Sequence, residues 1–412
     1  EAPYTDPPAV TRTTSSNKAD GADELMSKQF RKWGAIIRGD LHLVDINTSG
    51  ISSNENAVKK NENGAKYQGV KARFCKLDWA RYKKDPPSLP MFKVLVAKSG
   101  CDESKNLVTM DLATVVQKAR EYDKIRQTRK VQNAEDLHVI PPSGFVFHES
   151  RVGSTLVANS LTAMDPEGHR VYSESHPIND ALKGCLGRSS TCNMDTNVEL
   201  LRDVVYMMGR TSSPKEKHMF FKVSSIGSKR INVMQKAFPT VPWIFVYRSP
   251  VQTMMSHLDP AKLEKKGVRG GTPSAVCLRA KRHPQEDLIQ LVLDHDGKIN
   301  ELSNEEFCAA HLATLCESAL RGLRNSGGKG KAVEYDGLVD KLIESVIPKH
   351  FGIAVDDAAR QRVMDVAKVY SKSKIAGGKN WVEDSRAKDV GSTPEIHEAS
   401  NLFLLKSYLA LK

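Results

Sequence analysis

At 412 residues, with 40% hydrophobic and 27% charged side chains, the chain is long enough for one large globular domain or two ordinary ones. It contains no apolar run of about 18 residues, so no transmembrane helix is expected within it. The 61 basic residues outnumber the 49 acidic ones, giving +12; this favours anionic ligands, yet aromatics are only 6% and nowhere interleave with basic residues, which argues against nucleic acid and for a nucleotide or polyanionic substrate.

Residues 1–22, rich in Pro, Thr and Ser, are expected to be disordered or loosely attached. The chain begins at Glu1 rather than Met, which leaves room for a removed presequence. "LMSKQFRKWGAIIRGDLHLV" adds a helix or strand, and the polar stretch at 47–66 reads as an exposed loop or linker. A compact region follows from about Gly69 to Asp123. In it "MFKVLVAKSG" reads as a strand or short helix, and "DLATVVQKAREYDKIR" (111–126) places Leu112, Val115, Val116 and Ala119 at helical spacing. Residues 23–136 are thus read as an extension packed on a main domain at 137–412.

From about Leu137 short apolar strands alternate with helices. "HVI", "FVF", "MFFKV" (219–223) and "WIFVY" (243–247) are strand candidates, with "INVMQKAF" (231–238) a helix between the last two. The clearest helix lies within 302–328, where Ser303 and Glu306 form a capping box and Gly327-Gly328 ends the run. "AVEYDGL" supplies a further strand and turn. The class is α/β, with a mainly parallel central sheet flanked by helices.

Seven cysteines include no Cys-x-x-Cys, and no histidine cluster has zinc spacing, so no metal is expected. Cys185 with Cys192 and Cys75 with Cys101 are candidate pairs; ordinary buried thiols are the alternative. Asn47-Thr48-Ser49 is a glycosylation sequon. The compartment leans towards the secretory pathway or Golgi lumen, with the cytoplasm as the alternative.

"GFVFHESRVGSTLVANSL", Gly144 to Leu161, has the layout of a strand, an anion-holding turn and a helix N-terminus. The Walker pattern needs Gly-x-x-x-x-Gly-Lys-Ser/Thr, but here Gly144 and Gly153 are nine apart and Ser154 follows the second glycine. Gly153 permits close backbone approach to an anion. The amides of Ser154, Thr155 and Leu156 open the helix, and Arg151 supplies a full charge. A bland strand–turn–helix with a capping serine is the alternative. A second anion site is placed at Arg248, at the carboxyl end of "WIFVY", with Ser256 eight residues on.

These segments resemble the sulfotransferases that use 3′-phosphoadenosine 5′-phosphosulfate (PAPS). Arg151-Val152-Gly153-Ser154-Thr155 is similar to that family's 5′-phosphosulfate loop, with Val where Ser is usual. "KAFPTVPWIFVYRSP" with Arg248 and Ser256 is similar to its 3′-phosphate site, and "VEYDGLVDKL" and "HFGI" resemble later motifs. The resemblance spans roughly residues 137–385. It implies PAPS as co-substrate, 3′-phosphoadenosine 5′-phosphate as product, and transfer to the hydroxyl of a carbohydrate, peptide or small molecule. Donor contacts would come from Arg151, Val152, Gly153, Ser154, Thr155, Leu156, Arg248 and Ser256. Lys374 or Lys379 could contact phosphate from a late basic loop, with Trp381 packed nearby.

The chain departs from the family where many members carry Lys-Thr-His, because Lys222-Val223-Ser224 replaces the histidine with Ser224. Glu174 is therefore the expected general base, with His176 its nearest rival and His148 or Glu149 a third option; Lys222 would assist Arg151. Two other classes stay open: another P-loop transferase such as a kinase, whose loop lysine is missing here, and a non-catalytic nucleotide-binding member of the fold.

Overall fold

The computed structural model describes residues 31–53, 65–129, 137–185, 192–258, 275–370, 379–380 and 385–412. Residues 1–22, 186–191, Lys374, Trp381 and much of the polar stretch at 47–66 lie outside the described residues.

Three strands, β1 (His42–Asn47), β2 (Lys71–Cys75) and β3 (Val108–Asp111), form an antiparallel sheet in that order. In β2, Lys71 and Arg73 face solvent while Ala72 and Phe74 are buried, the period-2 alternation of a half-covered sheet. "MFKVLVAKSG" folds as a short helix, Phe92–Lys98, burying Phe92 and Leu95. The helix α1 (Leu112–Arg129) buries Leu112, Val115, Val116 and Ala119 as their spacing requires.

The central sheet contains β4 (Pro142–His148), β5 (His169–Ser173), β6 (His218–Lys222), β7 (Trp243–Tyr247) and β8 (Gly330–Glu334). Its order is β8-β7-β4-β6-β5, and every neighbouring pair is parallel. Such strands are covered on both faces, and "WIFVY" accordingly is buried at all five positions. The helices follow as α2 (Ser154–Met164), α3 (His176–Lys183), α4 (Met194–Met208), α5 (Pro250–Leu258), α6 (Asn304–Arg324), α7 (Asp357–Ala367) and α8 (Ser385–Val390). The fold is α/β.

Alternation along the strands separates two apolar clusters. Phe145, Phe147, Phe221 and Phe245 belong to one, packed with α4 and α6; Val146, Phe220, Ile244 and Val246 belong to the other, packed with α2 and α7. The first cluster also takes in Phe74, Trp79, Phe92 and Val115 from the N-terminal region. Trp79 meets the Tyr172 ring edge-on at 5.2 Å, and Phe92 packs on the same ring at 5.5 Å. Polar ties join the same regions: Tyr67 donates to Asp203 at 3.1 Å, and Arg210 clasps Asp123 at 2.7 and 2.9 Å.

The capping box of α6 is complete. Ser303 Oγ accepts from the Glu306 amide at 3.1 Å and Glu306 Oε2 accepts from the Ser303 amide at 2.8 Å. Disulfides join Cys75–Cys101 and Cys185–Cys192, the two pairings named from sequence, and also Cys277–Cys308. Cys316 is a buried free thiol. Among the described residues no helix is long and apolar enough to cross a membrane.

Candidate active site

The carboxyl end of β4 runs directly into the turn that precedes α2. Its backbone takes positive φ at Ser150 (109°), Arg151 (61°) and Gly153 (80°). Left-handed non-glycine residues cost about 1–3 kcal/mol each and persist where surrounding bonds hold them. Those bonds are present on the strand side. Ser228 Oγ accepts from the His148 amide at 3.2 Å and donates to its carbonyl at 3.1 Å, and the Glu149 amide donates to the Val246 carbonyl at 3.1 Å. Gly153 is sterically required as well, because a Cβ there would lie 2.7 Å from the Tyr335 ring. Gly144 serves packing instead. It sits inside β4, where a Cβ would meet Phe351 at 2.6 Å, and takes no part in the turn.

The Gly153 carbonyl accepts from the Leu156 amide at 2.8 Å and the Val157 amide at 3.2 Å. The Leu156 amide is thus committed to the helix, while those of Ser154 and Thr155 precede its ladder. Val152 is wholly buried in the second apolar cluster, so its side chain anchors the turn.

The two segments read from sequence as anion sites meet. Arg151 Nε donates to the Ser256 carbonyl at 3.1 Å, joining the turn after β4 to the helix after β7. Arg248, buried at the end of β7, donates through Nε to Gln252 Oε1 and through Nη2 to Ser385 Oγ, both at 2.8 Å, and its guanidinium lies 4.1 Å over the Tyr335 ring. Ser256 Oγ donates to the Gln252 carbonyl at 2.9 Å. Gln252 in turn donates to Asp389 at 2.9 Å, tying α8 to α5.

A second group of side chains gathers at the ends of β4, β5 and β6. Glu174, the residue after β5, has φ 53°, and its amide donates to the Lys222 carbonyl at 2.6 Å. Lys222 Nζ donates to Glu174 Oε1, and His148 Nε2 lies 3.7 Å from the same oxygen. Lys222 and His148 are nearly inaccessible, at 2% and 4%, whereas the Glu174 side chain is 25% exposed.

Of the rivals for the base, His148 thus stands beside Glu174, and the others fall elsewhere. His176 is exposed on α3 and groups with Asp45 and Asp180, the ligand atoms lying within 4.8 Å of one another; Asp45 is clasped by Arg73 at 2.6 Å. Glu149 is buried beneath the turn, and burial pushes its carboxyl up to about 8, while the Arg248 amide at 3.4 Å and the Cys316 thiol oppose that rise. Ser224 takes an Asn179 contact, its amide donating to Oδ1 at 3.0 Å. Lys379 lies in a two-residue strand paired with Val369–Tyr370.

The chain matches no protein-family model and no curated protein. Its structure is similar to solved sulfotransferases. That from Alicyclobacillus acidocaldarius is 11% identical, covers 66% of this chain and 95% of its own, and has a TM-score of 0.35. That from Mycobacterium avium is 12% identical, with 72% and 83% covered and a TM-score of 0.38. A Mycobacterium tuberculosis H37Rv enzyme gives 13%, 68% and 80%, with a TM-score of 0.32. At this similarity the site's own residues, not the neighbours, carry the functional reading.

Sequence reasoning missed Tyr335, Gln252 and Ser385. Tyr335 alone had a signal, because it follows β8 at the carboxyl edge of the sheet, where open α/β folds collect ligand contacts.

Proposed function

We propose that this chain is a sulfotransferase that moves a sulfuryl group from PAPS to an acceptor hydroxyl on a small molecule, carbohydrate or peptide. The observation that carries this reading is the Arg151–Ser256 contact, which brings together two segments, 105 residues apart, that we read as one anion-binding surface. A glycine that admits no side chain, an arginine from the turn and a buried arginine beside an aromatic ring suit a ligand with two separate anionic groups.

In this reading the turn around Gly153 receives the 5′-phosphosulfate and Arg248 the 3′-phosphate. The acceptor oxygen attacks sulfur in line with the departing phosphate oxygen, as in phosphoryl transfer. A new S–O bond forms, the bond from sulfur to the bridging oxygen breaks, and 3′-phosphoadenosine 5′-phosphate leaves with the electron pair. Arg151 and the Ser154 and Thr155 amides offset the charge that grows there. Glu174 accepts the acceptor's proton, a role that requires reach of about 2.6–3.2 Å in the loaded complex.

The three disulfides and an exposed sequon asparagine at the end of β1 fit an oxidising compartment, and the secretory pathway is proposed. The deciding experiment is calorimetric titration with 3′-phosphoadenosine 5′-phosphate against ADP and ATP. Tight binding that requires the 3′-phosphate is expected. Preference for ATP, or no nucleotide binding by the folded chain, overturns the assignment.

A further inference from the structure

Lys222 stands between the two halves of the proposed chemistry. Its strand, β6, has β5 on one side and β4 on the other. Lys222 is in register with Ser173, the residue before Glu174, across one ladder, and with Val146, three residues before the donor turn begins at Glu149, across the other. Parallel neighbours lie about 4.8 Å apart, so a four-carbon side chain on the middle strand reaches either flank.

In this structure that side chain points to the base. Lys222 Nζ donates to Glu174 Oε1, and the Glu174 amide is bonded to the Lys222 carbonyl, so the pair is tied through both backbone and side chains. A carboxylate engaged by a buried ammonium is a weak proton acceptor, because protonating it would strand the lysine's charge without its partner. Lys222, 2% exposed, cannot turn to bulk water instead. Another anion is the partner that best offsets its leaving Glu174.

We propose that the donor's sulfonate is that anion: on donor binding Lys222 passes from Glu174 to the sulfonate, and the freed carboxylate becomes the base. This rests on the sulfotransferase reading given above. The His148 ring 3.7 Å from Oε1 and the solvent its 25% exposure admits then stay beside Glu174. The acceptor proton goes to Glu174 only after the donor is in place, so the reaction runs donor first. One ammonium serves in turn as the lock on the base and as a counter-charge to the group being transferred.

The pairing is open to direct chemical test. A water-soluble carbodiimide activates the partly exposed Glu174 carboxyl, the Lys222 amine attacks it, and an amide forms as the reagent takes up the lost water as its urea. Peptide mass mapping of the full-length protein reads this Glu174–Lys222 link, with Glu174→Gln as the blank. The link is expected in the free protein and with saturating 3′-phosphoadenosine 5′-phosphate, which has no sulfonate, and is expected to be lost with saturating PAPS. Calorimetry on the same samples establishes whether each nucleotide is bound. Persistence of the link with PAPS bound overturns the hand-over and leaves the sulfotransferase reading standing. Loss of the link with the sulfonate-free nucleotide overturns the sulfonate as trigger, and absence of the link in free protein overturns the lock. Failure of PAPS to bind removes the functional reading and this inference together.

Discussion

Arg151 and Ser256 are joined by a hydrogen bond from the arginine Nε to the serine's backbone carbonyl, 3.1 Å across the gap between two neighbouring strand ends. The contact uses the guanidinium Nε, and Arg151 as a whole is exposed. It also means that damage to either segment is felt by the other.

Replacing Arg248 with alanine removes a buried charge from the proposed 3′-phosphate position. Binding of 3′-phosphoadenosine 5′-phosphate should weaken roughly 10- to 100-fold, the equivalent of about 1.5–3 kcal/mol for a charge-assisted bond. Calorimetry measures this, and a melting curve checks that losing the Gln252 and Ser385 contacts has not unfolded the chain. Unchanged nucleotide affinity would remove Arg248 from the site.

Glu174→Gln keeps the side chain's shape and removes its basicity. Donor affinity should hold within a few-fold while turnover with an acceptor drops about 100-fold or more. Near-normal turnover would shift the proton-accepting role to His148, the titratable ring 3.7 Å from the Glu174 carboxylate.

Gly153→Ala would force a side chain into the Tyr335 ring on a backbone with φ 80°. The expected cost is about 1 kcal/mol or more in denaturant unfolding, with loss of nucleotide affinity as the turn shifts. Wild-type stability and binding together would show that the turn has room to spare.

Glu149 links stability to pH. Its carboxyl is raised from 4.5 to about 8 in the folded chain, chiefly by burial. Between these values the folded state binds more protons than the unfolded state, so this group makes stability fall as pH rises. Below the unfolded value both states are protonated and the effect vanishes. Glu149→Gln should therefore melt increasingly above the wild type as pH moves from 5 to 8.5. A constant difference in melting temperature across that range would contradict the assignment.

Peptide mapping under non-reducing conditions should recover Cys75–Cys101, Cys185–Cys192 and Cys277–Cys308, with Cys316 unlinked. Opening the Cys277–Cys308 bridge by paired serine substitutions should cost about 2–4 kcal/mol of unfolding free energy. Scrambled pairing would contradict this part of the fold.

Local pattern carried much of the architecture. The five apolar residues of β7 and the Ser303–Glu306 cap declare themselves within a few positions, because burial on both faces and helix entry are short-range demands. The turn after β4 was legible for the same reason. What depends on register was not. His176 follows Glu174 by two residues and His148 precedes it by 26, yet strand order brings His148 to its carboxylate and groups His176 with Asp45 and Asp180. Tyr335 and Ser385 approach Arg248 from 87 and 137 residues away in sequence, and no local periodicity encodes such meetings. The third disulfide was hidden likewise, since two isolated cysteines 31 residues apart carry no mark of pairing.

Trp79 and Phe92 close over Tyr172, two residues before Glu174. Anyone trimming this protein to a smaller catalyst would therefore be misled by cutting just ahead of β4. The shortened chain would keep every residue proposed for catalysis, yet strip the Trp79 and Phe92 side of a tyrosine ring two residues from the proposed base. The smallest piece worth making includes the antiparallel sheet.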